Sequence, residues 1–318
     1  MREVRFLVLI LIVLHLTAPA RAGAGRPRRG ARRKVQAMRP TRSVAYKTVK
    51  GAKLTMHIFE PEGHKPSERR PAIVFFFGGG WVGGTPQQFY PQCKYLASRG
   101  MVAISAEYRV RNRHGATPYE CVTDGKSAIR WARASAAKLG MDPNRLAAGG
   151  GSAGAHVAAC TGVVDGLEEA GEDASVSSKP NALVLFNPPL LLDWEEWKKR
   201  GIPEERLDDI RQRFKGQDPR RVSPCHHVGA GAPPTLILHG EADTTIPIQT
   251  ARAYVEAAKR AGSRCELAAY EGQGHGFFNF GRGEAFYQTM REVDRFLVSL
   301  GYLEGPATLE RFRESLEE

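Results

Sequence analysis

Ser152 has a local sequence context that suits a nucleophile. The stretch Gly150 to Gly154 matches the pattern GxSxG and lies between an apolar run, Leu146 to Gly149, and a run of small residues, Ala153 to Val164. A nucleophile on a sharp strand-to-helix turn needs unusual backbone angles and small neighbours, which the flanking glycines supply. The helix start behind it offers free backbone N–H groups and positive partial charge to a developing oxyanion. We therefore predict that Ser152 is a catalytic nucleophile.

Two further residues complete a candidate proton relay. Asp243 lies in a turn that follows the apolar run Thr235 to His239, and His275 lies in a glycine-flanked loop after the run Cys265 to Tyr270. A histidine can accept the hydroxyl proton of the serine, and a carboxylate can orient the imidazole. The chain order Ser152, Asp243, His275 is one of the few orders in which such triads occur. The three residues together predict a serine hydrolase.

A glycine-rich loop precedes the serine. The stretch Phe77 to Trp81 reads Phe-Gly-Gly-Gly-Trp and follows the apolar run Ile73 to Phe77. Three successive glycines let the backbone itself approach a substrate, and loops of this type donate backbone N–H groups to an oxyanion hole. Trp81 either forms a wall of the substrate pocket or only packs the loop, and the sequence leaves both alternatives open.

Eight short apolar runs alternate with segments of helical periodicity. The first two flank a turn at Gly51 and predict an antiparallel hairpin, whereas the other six are typical of strands buried on both faces of a parallel sheet. The predicted strands are Val44–Val49, Leu54–Phe59, Ile73–Phe77, Val102–Glu107, Leu146–Gly149, Ala182–Phe186, Thr235–His239 and Cys265–Tyr270. This alternation predicts one α/β domain over residues 43–318, with an eight-stranded, mostly parallel sheet flanked by helices.

Two stretches interrupt this alternation. Residues 165–180 are polar and acidic, which predicts a surface loop. Residues 190–234 form a long insertion with a helical core around Trp194 to Phe214, and we predict that it is a small lid. Long insertions above the carboxyl edge of a sheet commonly shape the ligand pocket.

The N-terminal residues have the features of a secretory signal peptide. Arg2 and Arg5 precede an apolar run from Phe6 to Leu16, and Ala20 and Ala22 supply a small-residue cleavage pattern. An apolar run of this length is too short to span a bilayer, so we predict a signal peptide over residues 1–22, export of the protein and no transmembrane segment after cleavage.

The positive charge is concentrated behind the signal peptide. The formal net charge is +12, yet residues 23–50 carry ten basic residues and no acidic one. Residues 23–42 therefore predict a basic, disordered leader, and the folded body is close to neutral. This distribution argues against a nucleic-acid partner, because a basic binding face would need excess charge on the folded body.

The cysteines and the remaining motifs carry weaker predictions. The chain has five cysteines, and export would permit a disulfide, for which Cys93 with Cys121 is one hypothesis. No spacing typical of a metal site occurs. The pattern GxGxxG occurs at Gly78 to Gly83 and at Gly149 to Gly154, but a dinucleotide site would leave Asp243 and His275 without a role. We therefore expect no metal and no cofactor.

The chain resembles α/β-hydrolase serine esterases of the hormone-sensitive-lipase-like and acetyl-xylan or feruloyl-esterase-like groups. The motifs that carry the resemblance are Phe77 to Trp81, Tyr108-Arg109, Asp142-Pro143, Gly150 to His156, His239 to Pro247 and Gly274 to Phe277. The resemblance implies that Ser152 is the nucleophile, His275 the general base and then acid, and Asp243 the residue that orients the imidazole.

The same resemblance implies further site residues. Gly79, Gly80 and Ala153 match the backbone donors of the oxyanion hole, and Trp81 and Tyr108 are candidates for the substrate pocket. Phe77 stands where the HGGG loop of hormone-sensitive-lipase-like enzymes has a histidine, which removes a side-chain anchor of the loop without touching its N–H donors.

The predicted function is an exported carboxylic-ester hydrolase that works through an acyl-enzyme. The expected substrate is a small-molecule or polysaccharide ester with a short, acetyl-type acyl group, and the polysaccharide rests on the resemblance alone. Two alternatives stay open, a peptidase of the same fold and a catalytically silent surface-binding protein on the hydrolase scaffold. The acyl length, the alcohol partner and the oligomeric state are not predicted.

Overall fold

A computed structural model of the chain describes residue 30, residues 38–199 and residues 204–316. The predicted signal peptide and most of the predicted leader lie outside the described residues. The described chain packs against the body from Met38, whose side chain is buried, and Thr41 N–H donates to Ile58 O at 2.7 Å. The first strand begins at Arg42, so residues 38–42, predicted as the end of the disordered leader, pack on the domain instead.

Eight strands of the described chain form one sheet. They are β1 Arg42–Val49, β2 Ala52–Phe59, β3 Arg70–Phe76, β4 Val102–Ala106, β5 Met141–Gly151, β6 Ala182–Phe186, β7 Thr235–Gly240 and β8 Cys265–Tyr270. Their order across the sheet is β1-β2-β4-β3-β5-β6-β7-β8. β2 pairs antiparallel with β1 and β4, and all other neighbouring pairs are parallel. The predicted eight-stranded, mostly parallel sheet is confirmed.

The burial of the strands explains why their sequences are apolar. Every residue of β4, β6 and β7 is buried, because helices cover both faces of the sheet at these strands. The edge strand β1 instead alternates between exposed and partly buried residues over most of its length. Each large apolar side chain that is removed from water contributes roughly 1.5–3 kcal/mol, so the inner strands hold the layers together.

Helices cover the two faces of the sheet. They are α1 Tyr90–Ser98, α2 Arg111–His114, α3 Pro118–Ala134, α4 Ala153–Val163, α5 Trp194–Lys199, α6 Glu204–Phe214, α7 Pro224–His227, α8 Gln249–Arg260, α9 Glu284–Ser299 and α10 Leu309–Glu314. One hydrophobic cluster joins the sheet to α3, α4 and α8. A second joins it to α1, α9 and α10. The three-layer arrangement agrees with the predicted alternation of strands and helices. None of the described helices is long and apolar enough to cross a membrane.

The hypothesis of a disulfide between Cys93 and Cys121 is wrong for this structure. Both thiols are free and fully buried. Cys93 on α1 packs in one hydrophobic cluster and Cys121 on α3 packs in the other, so the two side chains belong to different faces of the sheet. Burial raises the pKa of both thiols well above its ordinary value, which keeps them protonated and unreactive.

The two predicted insertions are held in different ways. The acidic loop of residues 165–180 is tied to α3 by ion pairs, in which Glu168 contacts Lys126 and Arg130. The stretch 190–234, here called the lid segment, contains α5, α6 and α7 and packs Leu207, Phe214 and Val222 into the hydrophobic core. The lid segment is therefore part of the folded body.

Candidate active site

The carboxyl ends of the parallel strands bring the predicted site residues to one edge of the sheet. The loop of residues 77–84, here called the oxyanion loop, follows β3, and Ser152 follows β5. Asp243 follows β7 and His275 follows β8. Since these strands are neighbours in the order β3-β5-β6-β7-β8, their ends converge, as is usual for ligand sites in open α/β sheets.

The turn at Ser152 has the strained geometry that exposes a nucleophile. Ser152 has φ 52° and ψ −120°, a region that side-chain-bearing residues seldom occupy. Its N–H donates to Phe186 O at 2.8 Å, which anchors the turn to β6. At Gly154 a Cβ atom would lie 2.1 Å from Phe76 O, so only glycine allows the start of α4 to pass this close to β3. The GxSxG spacing thus serves both the turn and the packing behind it.

The structure brings Ser152, Asp243 and His275 into direct contact. Ser152 Oγ–H donates to His275 Nε2 at 3.0 Å, and His275 Nδ1–H donates to Asp243 Oδ2 at 2.7 Å. These distances are within the range in which a base can remove the hydroxyl proton. The arrangement therefore has the geometry of an activated nucleophile with an oriented base.

Asp243 is held as a buried carboxylate. Its Oδ1 accepts the N–H groups of Thr245 and Ile246 at 2.8 Å and 2.9 Å. Burial alone would raise the pKa of the Asp243 carboxyl, but His275 and the hydrogen bonds from Ile246 and Asn187 outweigh it and lower the pKa below its ordinary value. An ionised Asp243 keeps the proton of His275 on Nδ1, which leaves Nε2 free to accept from Ser152.

Asn187 is a site residue that the sequence reasoning missed. It follows β6 and is fully buried, and its Nδ2–H donates to Asp243 Oδ2 at 2.7 Å. Its φ is +47°, in the left-handed region that asparagine tolerates better than most residues. The available signal was a polar residue directly after an apolar strand at the catalytic edge of the sheet.

The oxyanion loop places backbone N–H groups beside Ser152. Gly79 has φ +129° and Gly80 has φ +63°, so the loop needs glycine at both positions. Ala153 is the first residue of α4, where a helical N–H has no intrahelical acceptor. Within the described part of the chain, no backbone hydrogen bond outside the helices and strands uses the N–H of these three residues. They are available to a substrate oxygen.

Two side chains hold the loop where a histidine anchor is missing. Gln88 Oε1 accepts the N–H of Gly78 at 2.6 Å, and Tyr108 Oη–H donates to Phe77 O at 2.6 Å. The ring of Phe77 stacks on that of Tyr108 with centroids 4.3 Å apart. The replacement of histidine by Phe77 therefore leaves the loop anchored by other groups.

The predicted pocket residues have different positions. Trp81 lines the cavity in front of Ser152 and also packs edge-on against Phe214, so it forms a wall of the cavity and does not only pack the loop. Tyr108 is fully buried behind the oxyanion loop and does not line the cavity, which corrects its predicted place in the pocket. Its hydroxyl binds the loop backbone, and a side chain so engaged cannot face a substrate.

A cavity of about 410 Å³ opens above Ser152 and His275. The lid segment covers one side of it with mostly apolar side chains, among them Leu191, Trp197 and Ile210. Gln88 and Asn279, joined by a hydrogen bond of 2.9 Å, form a polar part of its wall. The cavity has the size and mixed lining of a small-molecule site.

A larger and more open groove lies elsewhere. It has a volume of about 710 Å³ and is lined by residues such as Arg133, Asn181 and Pro233, at the amino ends of β6 and β7. It contains none of the predicted site residues, and Arg133 is used to bind the carbonyls of Pro143 and Ser177. We therefore assign the chemistry to the smaller cavity. Among residues 38–199 and 204–316, no group of three or more His, Cys, Asp and Glu side chains is arranged to hold a metal ion.

Comparison with known proteins gives consistent matches. The model of the family described as BD-FAE matches residues 56–257, and that of the dienelactone hydrolase family matches residues 219–300. Esterase LipC of Mycobacterium tuberculosis is 36% identical over 230 residues, which are 67% of this chain and 54% of that protein. The chain spans about half the length of the curated relatives it matches.

Solved structures of an esterase match most of the chain. The apo form of Thermogutta terrifontis esterase 2 is 51% identical, with a TM-score of 0.78, and the match covers 84% of this chain and 97% of that one. Further structures of that esterase are described as butyrate bound and as phosphorylated by paraoxon. The fold seen here is thus the α/β-hydrolase fold of those esterases.

Proposed function

The chain belongs to the BD-FAE family of α/β-hydrolase fold proteins, and on that premise we propose that it is a serine carboxylic-ester hydrolase that forms an acyl-enzyme on Ser152. The observation that carries the proposal is the position of His275, which contacts both Ser152 Oγ and Asp243 Oδ2 at the floor of the cavity. Named esterases among the relatives and solved neighbours support the same activity.

The geometry supports a two-step reaction. Ser152 Oγ attacks the carbonyl carbon of the ester while His275 Nε2 takes the hydroxyl proton. The oxyanion that forms accepts hydrogen bonds from the N–H groups of Gly79, Gly80 and Ala153, each of which contributes about 3 kcal/mol to the barrier reduction. Collapse of this intermediate expels the alcohol, which receives the proton from His275.

Water then repeats the attack on the acyl-enzyme. His275 Nε2 takes a proton from water, and the same three N–H groups hold the second oxyanion. The bond between the acyl carbon and Ser152 Oγ then breaks, His275 returns the proton to Ser152 Oγ, and the carboxylic acid is released. Asp243 stays ionised throughout and stabilises the imidazolium, which agrees with the lowered pKa of its carboxyl.

We propose short-chain acyl esters as the substrates. A cavity of about 410 Å³ suits a small acyl group with its alcohol, and the related esterase from Thermogutta terrifontis has been described with propionate and with butyrate bound. The helix α6 of the lid segment is rich in charged residues and has no long apolar face for a lipid surface. Acetyl groups on plant polysaccharide are the natural substrate that we propose, with export by the N-terminal signal peptide.

The proposal is tested with p-nitrophenyl acetate, butyrate and octanoate. We expect hydrolysis with acetate or butyrate preferred, and loss of at least about 10⁴-fold in kcat for Ser152→Ala, because the nucleophile is gone. Ser315→Ala is the matched control, since Ser315 is exposed beyond α10 and far from the cavity. Equal rates for wild type and Ser152→Ala would refute the acyl-enzyme, and a preference for octanoate would refute the short-chain assignment.

Covalent labelling gives a second test. Paraoxon should transfer its diethylphosphoryl group to Ser152 Oγ, with p-nitrophenolate as the leaving group and the serine proton passed to His275. Mass spectrometry of the peptide that contains Ser152 should show the adduct in wild type and not in Ser152→Ala. An unlabelled wild type would contradict the activated nucleophile.

A further inference from the structure

His156 is a buried histidine that the proposed reaction does not use. It lies on α4, one helical turn beyond Ser152, and is completely inaccessible to solvent. Its Nδ1 accepts the indole Nε1–H of Trp81 at 3.2 Å, and its Nε2 lies 2.6 Å from Val222 O. The imidazole therefore connects three parts of the molecule, namely the oxyanion loop, the helix of the nucleophile and the lid segment.

The hydrogen-bond partners define the protonation of the ring. An indole nitrogen only donates, so Nδ1 of His156 must be the unprotonated nitrogen. The ring proton is then on Nε2 and is donated to Val222 O. Burial lowers the pKa of His156 to about 4, so the ring is neutral at pH 7. The indole N–H of Trp81 thus donates to Nδ1 of His156, and Nε2–H of His156 donates to Val222 O.

Trp81 is the residue through which this contact reaches the oxyanion loop. It has φ +62°, an unusual backbone conformation for a large side chain. Its ring packs edge-on against His156 and against Phe214 of α6. Trp81 directly follows Gly80, whose carbonyl accepts from Arg213 of α6 at 3.3 Å. The conformation of the loop thus depends on contacts with the lid segment.

We propose that His156 is a positioning residue that locks Trp81 to Val222 and thereby sets where the N–H groups of Gly79 and Gly80 point. The inference rests on the proposed function, since these groups matter only if an oxyanion forms. His156 itself touches no substrate, because it lies behind Trp81 and does not line the cavity. Its loss should therefore affect the chemical step more than substrate binding.

The first experiment replaces His156 with leucine and with glutamine. Leucine removes both hydrogen bonds. Glutamine keeps an amide oxygen that can accept from Trp81 and an NH2 group that can donate to Val222 O. Displaced oxyanion donors lose much of their effect, so we expect His156→Leu to lower kcat about 10- to 100-fold with KM changed less than about threefold. His156→Gln should restore kcat to within about threefold of wild type. Rates are normalised to the folded fraction measured by circular dichroism.

Val157→Ala is the matched control. Val157 is the next residue on α4, is fully buried, and faces Gly125 of α3 rather than Trp81. Its truncation should lower the free energy of unfolding and leave kcat of the folded protein unchanged. Equal kcat in His156→Leu and wild type would overturn the positioning role. A kcat for His156→Gln as low as for His156→Leu would show that ring shape and not hydrogen bonding is required, and would overturn it as well.

A measurement without substrate separates this inference from the proposed function. In wild type the Trp81 indole N–H should exchange slowly with solvent in proton NMR, with its resonance assigned by its loss in Trp81→Phe. In His156→Gln the indole N–H of Trp81 should exchange as slowly as in wild type. In His156→Leu its exchange rate should rise at least tenfold. An unprotected indole N–H in wild type refutes the link, whereas a protected one in a protein without esterase activity refutes only the proposed function.

Trp81→Phe completes a double-mutant cycle with His156→Leu, and Trp81→Phe alone keeps the test valid if His156→Leu does not fold, because it removes the same hydrogen bond and should also lower kcat. Phenylalanine has no ring N–H, so Nδ1 of His156 has no hydrogen bond to accept in the Trp81→Phe variant. We expect His156→Leu to lower kcat by a smaller factor in the Trp81→Phe background than in wild type, so that the two substitutions are non-additive in kcat. Full additivity would contradict a direct Trp81–His156 link.

Discussion

The two halves of the candidate site are held by different means. In the triad, Ser152, His275 and Asp243 contact one another directly through short side-chain hydrogen bonds. In the oxyanion loop, the groups that would bind the substrate oxygen are backbone N–H groups. Side chains hold these groups in place without binding that oxygen themselves. Gln88 and Tyr108 hold the loop from below, as described above.

This difference predicts how mutations act. A direct relay has no redundancy, so the loss of one member removes most of the rate. Several side chains hold the oxyanion loop in place, so the others still hold it when one is lost. The loss of any one of them should therefore lower the rate by a smaller factor.

Asp243→Asn should have the largest effect. An amide at this position can present N–H to His275 Nδ1 and favours the wrong imidazole tautomer, so kcat should fall by about 10⁴-fold with the fold intact. Steady-state kinetics with p-nitrophenyl acetate measure the loss, and circular dichroism checks the fold. A loss below tenfold would show that the triad is as redundant as the loop.

The pH dependence of the free energy of unfolding should show that the fold holds His156 in its neutral form. Its pKa is about 4 in the folded protein and about 6.5 when unfolded, so between these values the unfolded state binds a proton that the folded state does not. Neutral His156 contacts Trp81, Val222 and Cys160. Its contribution to the free energy of unfolding is therefore fully present above pH 6.5. It falls by about 1.4 kcal/mol for each pH unit down to pH 4.

Urea unfolding of wild type and His156→Gln at several pH values between 7 and 4 measures this term. The variant lacks the titrating group, so its free energy of unfolding should depend less on pH over this range. Parallel curves for the two proteins would show that His156 is not held neutral by its surroundings.

Asn187→Gly should produce an intermediate effect. It removes the donor to Asp243 Oδ2 and keeps a residue that tolerates φ +47°. One hydrogen bond to a charged group is worth about 1.5 kcal/mol or more, so kcat should fall about tenfold. The melting temperature should fall as well, because the substitution removes a fully buried side chain and its hydrogen bond to Asp243, so the rates are compared at a temperature at which both proteins are folded. An unchanged kcat in folded Asn187→Gly would assign Asn187 to the fold instead of the triad.

Gln88→Ala and Tyr108→Phe should each have the smallest effect on rate. Each removes one hydrogen bond to the oxyanion loop, worth about 1 kcal/mol, so kcat should fall about fivefold. Gln87→Ala is the matched control for Gln88→Ala, since Gln87 is the exposed neighbouring residue and does not line the cavity. A loss of 10³-fold or more in either single variant would mean that the loop, like the triad, depends on one contact.

The fold was largely predictable because its strands are buried on both faces. All eight predicted strands are present, since short apolar runs bounded by turn residues, such as Ala182–Phe186, are typical of strands buried on both faces of a sheet. The position of the lid segment above the cavity also agrees with its place in the chain. The predicted Cys93–Cys121 pair failed because helix ends that are close in sequence lie on opposite faces of the sheet.

The supports of the site were not predictable in the same way. Asn187, Gln88 and His156 act on partners 56, 10 and 75 residues away, and no local pattern reports such contacts. Tyr108 was placed in the pocket because its neighbours match a family motif, whereas packing turns its ring to the back of the oxyanion loop.

The sequence by itself determined the chemical groups and the elements that carry them. Local rules suffice for a serine on a glycine-flanked turn, for a histidine and an aspartate after strands, and for the alternation of strands and helices. Only the tertiary structure decided how these groups are oriented. Orientation depends on which buried donors and acceptors meet, as between Trp81, His156 and Val222, and that depends on the packing of distant segments, because a buried polar group must find its partner wherever the fold brings one.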